Sequence, residues 1–374
     1  MNDTTLILLC AGESSRFTSS SKKQWLRVDD KPLWLYVCNK LSTYSNFTKV
    51  IVVSHKDEIS YMQNFTDDFT FAEGGNSRQE SMNNALKEVT TTHVLISDVA
   101  RACIPELVVQ TLLDSKKDAD CIVPFLSVSD TVVYQNNTIN RDDVKLIQTP
   151  QLSKTSILIK ALKEDVEFTD DSSAIKNIGG SVKYVKGSIS SNKITFIDDI
   201  QNITCLEAPS KDIFTGYGID IHPFEQNKTM YLGGVKLPYE FGFKAHSDGD
   251  VLIHSIIDAL LGAIGAGDIG EFFPDTDPKY KGADSKVLLK SIVNFVRKVG
   301  YDIINIDVTI LAEIPKINPF KNEIKNSLTK LLNLDKFKIN IKATTSERLG
   351  FIGRKEAVAV HSVATLKYYD WKKK

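Results

Sequence analysis

The chain has 374 residues, which at about 150 residues per domain suits two or three domains. It carries 46 Lys and Arg against 47 Asp and Glu, a formal charge of −1. That balance argues against a general nucleic-acid or membrane-surface binder and leaves room for local basic sites only. Hydrophobic residues at 42% and charged residues at 25% are ordinary for a folded globular protein and argue against disorder.

The five cysteines, Cys10, Cys38, Cys103, Cys121 and Cys205, all precede residue 210, whereas His222, His246, His254 and His361 follow it. An odd cysteine count without close pairs argues against a disulfide framework and fits a reducing cytoplasm, with the thiols as small core residues. The N-terminus has no basic n-region, so a signal peptide is not expected. No apolar run approaches about 18 residues, so no membrane span is expected either. There is no Walker P-loop, HExxH or CxxC. One GxGxxG, Gly265-Ala-Gly267-Asp-Ile-Gly270, follows a helical run and not a strand, so it reads as a helix end and loop.

In chain order, β-type runs are expected at Leu6–Cys10, Val50–Ser54, His93–Ser97 and Cys121–Phe125, with helices at Pro32–Leu41, Ser77–Val89 and Pro105–Lys116. That alternation implies a doubly wound, Rossmann-like α/β sheet that binds ligands beyond its strand carboxyl ends. Ala208-Pro-Ser-Lys-Asp212 reads as a linker, which divides the chain into 1–208, a 209–212 connection and 213–374. The second region reads as another α/β layer: a strand near Phe214–Ile221, helices Asp248–Ile264 and Ser285–Val299, a strand Ile303–Ala312, a helix Pro319–Leu332, and strands Phe337–Ala343 and Ala357–Leu366.

The first strand runs into Ala11-Gly-Glu-Ser-Ser-Arg-Phe17 and Lys22-Lys23-Gln24. Small residues let backbone N–H groups approach phosphates, and Arg16 and Lys23 bring charge to a phosphoryl transition state. A polar loop with solvated basic residues has the same composition, so the other strand ends matter. Gly74-Gly-Asn-Ser-Arg78 opens a helix, Asp98 ends a strand where a carboxylate can hold Mg²⁺, and Asp130-Thr131 follows the next strand. Leu9-Cys-Ala-Gly-Glu-Ser-Ser-Arg16, Lys23-Gln24, Gly74-Gly-x-x-Arg78, Ser97-Asp-Val-Ala-Arg101, Asp130-Thr131, Thr149-Pro-Gln151 and Thr169-Asp-Asp171 together resemble 2-C-methyl-D-erythritol 4-phosphate cytidylyltransferases over roughly residues 3–208. The resemblance implies that Arg16 and Lys23 stabilise the transition state at the CTP α-phosphorus. It implies that Arg141 and Lys193 hold methylerythritol phosphate, with Arg78, Asp98, Arg101 and Thr131 around the substrates.

In the second region, Asp220 and His222 stand two apart on a β-type run, so both side chains share one face. With His254 they make a three-ligand set that leaves a fourth position open on zinc. Asp258, four residues on from His254, is placed to orient that imidazole from behind. A lone Asp-x-His is unspecific. The further motifs are Leu232-Gly-Gly-Val235, Ala245-His-Ser-Asp-Gly-Asp250, Gly267-Asp-Ile-Gly270, Phe273-Pro-Asp-Thr-Asp277 and Lys342-Ala-Thr-Thr-Ser-Glu-Arg-Leu-Gly-Phe351. With them, residues 213–370 resemble 2-C-methyl-D-erythritol 2,4-cyclodiphosphate synthases, and the chain as a whole resembles the fusion of the two enzymes.

That resemblance assigns Zn²⁺ to Asp220, His222 and His254, and transition-state stabilisation to His246 and Thr345. It gives a second divalent ion, Mg²⁺ or Mn²⁺, to Glu347. The substrate surface is assigned to Ser247, Asp268, Ile269, Gly270, Phe273, Pro274, Asp275, Thr276, Asp277, Phe351 and Arg354. The cytidine diphosphate part is assigned to the loop Ala312–Asn318, Lys316 included, and to Thr344-Thr345, with Ser346 and Glu347 also on the substrate. Cyclisation brings two anionic phosphates together, which divalent ions and basic groups must offset. The implied partners are CTP, methylerythritol phosphate and its cytidine diphosphate derivative, Mg²⁺ at both sites, and copies of the chain as trimers that can pair into a hexamer. A separate kinase is implied for the intervening phosphorylation, since no P-loop is present. The other readings are a sugar-phosphate nucleotidyltransferase with a degenerate second domain, and a nucleotide-sensing scaffold. The intact Asp220, His222 and His254 set counts against the first, and the transition-state groups Arg16, Lys23 and Glu347 against the second.

Overall fold

In the computed structural model of the protein, which describes residues 3–164 and 166–373, the apolar runs of the first half build one eight-stranded sheet. β1 (Thr4–Leu9) leads through the small ladder of β2 (Arg27–Val28) and β3 (Lys31–Pro32) to α1 (Leu33–Thr43). There follow β4 (Lys49–Ser54), α2 (Lys56–Gln63), β5 (Thr70–Glu73), α3 (Arg78–Leu86), β6 (His93–Asp98), α4 (Glu106–Asp114) and β7 (Cys121–Ser127). A hairpin of β8 (Val132–Tyr134) and β9 (Asn137–Ile139) comes next. β10 (Lys145–Ile147), β11 (Gln151–Lys154), α5 (Thr155–Ala161), α6 (Asp171–Asn177) and β12 (Val182–Lys186) complete the unit's regular elements.

β1 pairs in parallel with β4 and β6, and β4 with β5. Helices cover both faces, so Ile7, Ile51, Val53, Val94 and Ile96 are all fully buried. β11 runs antiparallel between β6 and β7. Its four residues, with two polar side chains and a lysine, carry no hydrophobic signal; flanking strands bury Gln151 and Ser153 nonetheless. The parallel strands β1, β4, β5 and β6 end at one edge, which gathers the loops after residues 9, 54, 73 and 98. Gly74 makes that gathering possible: a Cβ there would stand 2.3 Å from the Ala11 Cβ.

One expectation is corrected here. Cys103 and Cys205 form a disulfide across 102 residues. Both lie in segments outside the sheet, and spacing along the chain carries no trace of their meeting. Cys10, Cys38 and Cys121 are free and buried, as core residues are.

The second unit is a five-stranded sheet with helices on one side. Its elements are β13 (Ile213–Gln226), β14 (Met230–Leu232), β15 (Val235–Leu237), β16 (Phe241–Phe243), α7 (Val251–Ile264), α8 (Ile269–Phe272), α9 (Ser285–Lys298), β17 (Tyr301–Leu311), α10 (Lys321–Leu332), β18 (Ile339–Thr344), α11 (Gly350–Gly353) and β19 (Ala357–Tyr368). β19 is central, antiparallel to β13 and β17, and β18 joins β17 in parallel. β13 alternates: Gly216, Gly218, Asp220 and His222 face the helices, while Ile213, Tyr217, Ile219 and Ile221 are exposed. α7 lies directly on the first face. A Cβ on Gly216 would sit 2.0 Å from the Ala259 carbonyl oxygen, and one on Gly218 would sit 2.1 Å from that of Ser255. The two glycines thus set the distance at which α7 carries His254 past Asp220 and His222. Gly265, at φ 68°, caps the end of α7, and Asp268 caps α8, so the GxGxxG run is a helix end and a helix start.

By its internal contacts the chain divides into Met1–Pro209 together with Asp370–Lys374, and Ser210–Tyr369. The tail after residue 369, counted above with the second region, is held in the first unit. Trp371 is buried there, and its Nε1 donates to the Arg27 carbonyl at 2.6 Å.

Candidate functional site

In the first unit, Arg16, Lys23, Arg78, Asp98 and Lys193 line one pocket with the Gly12 and Gly75 backbones. Lys23 donates from Nζ to the Ile194 carbonyl at 3.1 Å. Burial, aided by Lys193 and Arg16, lowers its pKa. Asp98 is the acidic centre: Lys193 Nζ lies 2.7 Å from one carboxylate oxygen and Arg78 Nε 3.4 Å from the other. Burial alone pushes this carboxyl up, but Arg78 and Lys193 outweigh it and hold it at about 2. The Thr149 hydroxyl accepts the Asp98 backbone N–H at 3.3 Å, which gives the Thr-Pro-Gln motif a function in the sheet. Arg78 extends the chain of charges to the fully buried Asp171 at 2.9 Å. Asp171 itself is raised by burial.

Three expected residues stand apart from that pocket. Arg101 donates to the Ser191 and Ile147 carbonyls at 2.6 and 3.3 Å, so its guanidinium joins backbone segments together. Thr131 precedes β8 and is exposed. Arg141 follows β9, is exposed, and donates to the Ser129 carbonyl.

In the second unit, Asp220 Oδ2 lies 3.1 Å from His222 Nε2 and 3.2 Å from His254 Nδ1. The three form the group of possible metal-holding side chains found among the described residues. Their remaining ring nitrogens are engaged: His222 Nδ1 meets the Gly249 carbonyl at 3.0 Å, and His254 Nε2 meets the Ser285 hydroxyl at 2.9 Å. That leaves His222 Nε2, His254 Nδ1 and the Asp220 carboxylate directed at one point, which fits a divalent ion. Burial lowers the pKa of His222; for His254 burial is outweighed by the hydrogen bond and charge of Asp220, and the pKa rises.

Asp258 does not orient His254. Its Oδ1 accepts the Ile269 N–H at 2.9 Å, at the start of α8. Two hydroxyls stand behind the imidazole at Nε2: Ser247 at 3.2 Å, and the nearer, fully buried Ser285, which donates to Asp248 at 2.5 Å. The same-face i+4 spacing is present, but a backbone donor takes the carboxylate, and no sequence spacing links His254 to a serine 31 residues away.

His246, Ser247, Ile269, Gly270, Phe273 and Asp275 line the pocket around the three ligands, joined by Tyr280 and Lys281. The last two were not singled out from sequence, although they follow the Phe273–Asp277 motif directly. Asp268 and Asp277 instead cap short helices, and Pro274 and Thr276 are outside the lining.

The other expected residues form a second cluster, centred on Glu313. Its carboxylate accepts the Ser346 N–H at 3.2 Å and the Arg348 N–H at 3.1 Å. Those bonds hold Glu347 and Arg348 at φ 52° and 66°, a left-handed pair that non-glycine residues seldom adopt. Thr345 donates to Glu347 at 2.9 Å, and Ala312 N–H donates to the Thr344 carbonyl. Lys316 and Asn318 are exposed beside this loop pair, Phe351 is 41% exposed, and Arg354 pairs with Glu356. None of these residues lines the pocket of Asp220, His222 and His254, so the expected residues of this unit fall into two separate clusters.

Comparison with known proteins supplies the frame for both sites. Residues 4–206 match the family model described as 2-C-methyl-D-erythritol 4-phosphate cytidylyltransferase, and residues 213–367 match the YgbB family. A bifunctional enzyme IspD/IspF of Aliarcobacter butzleri is 64% identical over the whole of both chains. One of a Sulfurovum species is 51% identical, again over the whole of both. The solved structure of the bifunctional IspDF from Campylobacter jejuni superposes with a TM-score of 0.88 at 47% identity, covering 99% of this chain and 100% of that one. The chain therefore belongs to the bifunctional IspD/IspF family, enzymes of the isoprenoid pathway that join a cytidylyltransferase domain to a cyclodiphosphate synthase domain.

Proposed function

We propose that cytidylyl transfer occurs in the pocket beyond β1 and cyclisation at the Asp220, His222 and His254 group. The observation that carries the first half is the convergence of four cationic side chains, Arg16, Lys23, Arg78 and Lys193, on a pocket floored by a small-residue loop. The 4-phosphate oxygen of methylerythritol phosphate attacks the α-phosphorus of CTP. The bond to the bridging oxygen breaks, and pyrophosphate leaves. Negative charge grows on the α-phosphoryl oxygens, where Arg16 and Lys23 face it. Lys193 and Arg78 bind phosphate while Asp98 keeps both in register. Arg141, Arg101 and Thr131 belong to the methylerythritol side of this reading. The check is direct: purified protein with Mg²⁺ releases pyrophosphate from CTP only when methylerythritol phosphate is added. Release without the acceptor, or none with it, rejects the assignment.

In the second unit the 2-phosphate attacks the β-phosphorus of the same molecule's cytidine diphosphate, CMP leaves, and an eight-membered ring closes. Zn²⁺ held by Asp220, His222 and His254 would supply a Lewis acid for the diphosphate. His246 and Thr345 steady the transition state, and Glu347 would hold a second divalent ion, which would offset phosphate charge. Ala312–Asn318 and Thr344-Thr345 receive the cytidine diphosphate part. The two clusters of one chain are half-sites that complete each other when a second copy supplies the missing half, and the exposed row Ile213, Tyr217, Ile219 and Ile221 is an apolar surface for such a copy to cover. Trimers of the second unit, paired into a hexamer, satisfy this. A separate kinase phosphorylates the 2-hydroxyl between the two steps. The bacterial cytoplasm is the compartment of this reading; no helix among the described residues is long and apolar enough to cross a membrane.

Ser285 tests the metal reading without relying on turnover. Ser285→Ala removes the nearer of the two hydroxyls at His254 Nε2, and the dissociation constant for Zn²⁺, read by chelator competition, should rise about 10-fold. An unchanged constant would show that the hydroxyl does nothing for the ligand.

A further inference from the structure

Lys23 belongs to a run, Lys22-Lys23-Gln24-Trp25, whose last three residues form a single 3-10 turn. Lys22 and Trp25 lie outside the pocket lining, at 5% and 0% exposure, and Gln24, which stands at the pocket's wall beside Lys23, is 1% exposed. All three end on one carboxylate. Glu58, in the first turn of α2, is itself 4% exposed. Lys22 Nζ donates to its Oε1 at 2.7 Å, Trp25 Nε1 to its Oε2 at 2.6 Å, and Gln24 Nε2 reaches Oε2 at 3.5 Å.

The same run reaches into the small-residue loop. Lys22 Nζ also donates to Glu13 at 2.9 Å, Gln24 Nε2 to the Gly12 carbonyl at 3.3 Å, and the Lys23 N–H to the Ser14 hydroxyl at 3.2 Å. Trp25 is fixed in turn by the rings of Tyr61 and Phe65, at 5.2 and 5.8 Å. A buried ammonium is tolerable only when paired, and Glu58 is the buried partner of the two that Lys22 has.

We propose that Glu58 is a positioning residue for cytidylyl transfer, holding the Lys22–Trp25 turn and through it the loop of Gly12, Glu13 and Ser14, so that Lys23 and Arg16 stand ready at the CTP phosphates. It touches no substrate; its effect passes through Lys22, Gln24 and Trp25. The inference rests on the reading that Lys23 acts on CTP, and Lys23→Ala tests that reading separately.

The experiment uses the full chain, whose cyclase turnover reports folding of the second unit in the same sample. Glu58→Gln keeps the size and an oxygen for Trp25 but removes the charge. Misplacing a catalytic group by about 1 Å costs on the order of 100-fold, so kcat for cytidylyl transfer should fall about that much. The KM for methylerythritol phosphate should stay within about threefold, because ground-state binding of the acceptor does not use the turn. Cyclase turnover should not change. A parent kcat in Glu58→Gln, with transfer lost in Lys23→Ala, overturns this inference alone. Transfer intact in Lys23→Ala overturns the site reading and this inference with it. Where Glu58→Gln unfolds the first unit, seen as loss of its unfolding transition, Trp25→Phe decides. That variant keeps the ion pair and removes one bond to Oε2; a lower kcat at the parent KM supports the inference, and a parent kcat overturns it.

Discussion

His222→Ala should strip the metal from the second unit, end CMP release from the cytidine diphosphate substrate, and leave cytidylyl transfer at the parent rate. Asp220, His222 and His254 offer one donor each, all within 4.8 Å of one another, and three donors hold a tetrahedral ion while leaving one position for substrate. With His222 gone, Asp220 and His254 remain as a two-ligand fragment. The cyclase should then lose at least about 1,000-fold, roughly the several kcal/mol that a Lewis acid contributes to charge development at phosphorus. The measurements are metal content by mass spectrometry and the two turnover assays on one preparation. Loss of both activities in a folded variant would show that the sites are not independent, and retained metal would show that the ligands are elsewhere.

The second large effect is Lys23→Ala, with kcat/KM for cytidylyl transfer down about 1,000-fold, close to 4 kcal/mol, as expected for a preorganised donor at a phosphoryl transition state. Lys23 is half-buried, its ammonium is aimed by the Ile194 carbonyl, and Arg16 and Lys193 already crowd it with positive charge. A cation held in such company gains most when negative charge grows opposite it. Lys23→Arg should recover little, since a planar guanidinium cannot take the place of a compact ammonium in that packing. The acceptor KM should hardly move, and the cyclase should be untouched. A loss smaller than tenfold would make Lys23 a solvated loop residue.

The parts of both sites that follow from local periodicity could be read from the chain. Asp220 and His222 fall on one face because a strand alternates, and His254 reaches them because it is on the helix packed over that face. Arg16, Lys23, Arg78 and Asp98 meet because parallel strands deliver their loops to one edge. What the chain order hid is how each side chain spends its hydrogen bonds. Asp258 has the right spacing to His254, yet a backbone N–H claims it, and Ser285 takes the place behind the ring. Arg101 belongs to a recognisable motif but is committed to two carbonyls. Lys22 and Lys23 are adjacent and chemically identical, and only the burial of Glu58 tells the structural lysine from the pocket one. The Cys103–Cys205 bond and strand β11 depend on segments brought together by the whole sheet, so no short window contains their cause. The separation of the Thr345 and Glu347 loop from the Asp220 group has the same origin: all are motif residues, but β18 and β13 are not neighbours in the sheet.

The Trp371 contact changes what counts as a part of this protein. Read by contacts, the order along the chain is first unit, second unit, first unit again, so the synthase is an insertion near the end of the transferase and not a piece appended to it. A gene cut at the linker would deliver a transferase whose indole socket is open to water and whose Arg27 carbonyl has lost its donor. The complementary piece would carry a tryptophan with nowhere to go. Engineers who want the two enzymes apart must keep the segment that carries Trp371 with the first fragment.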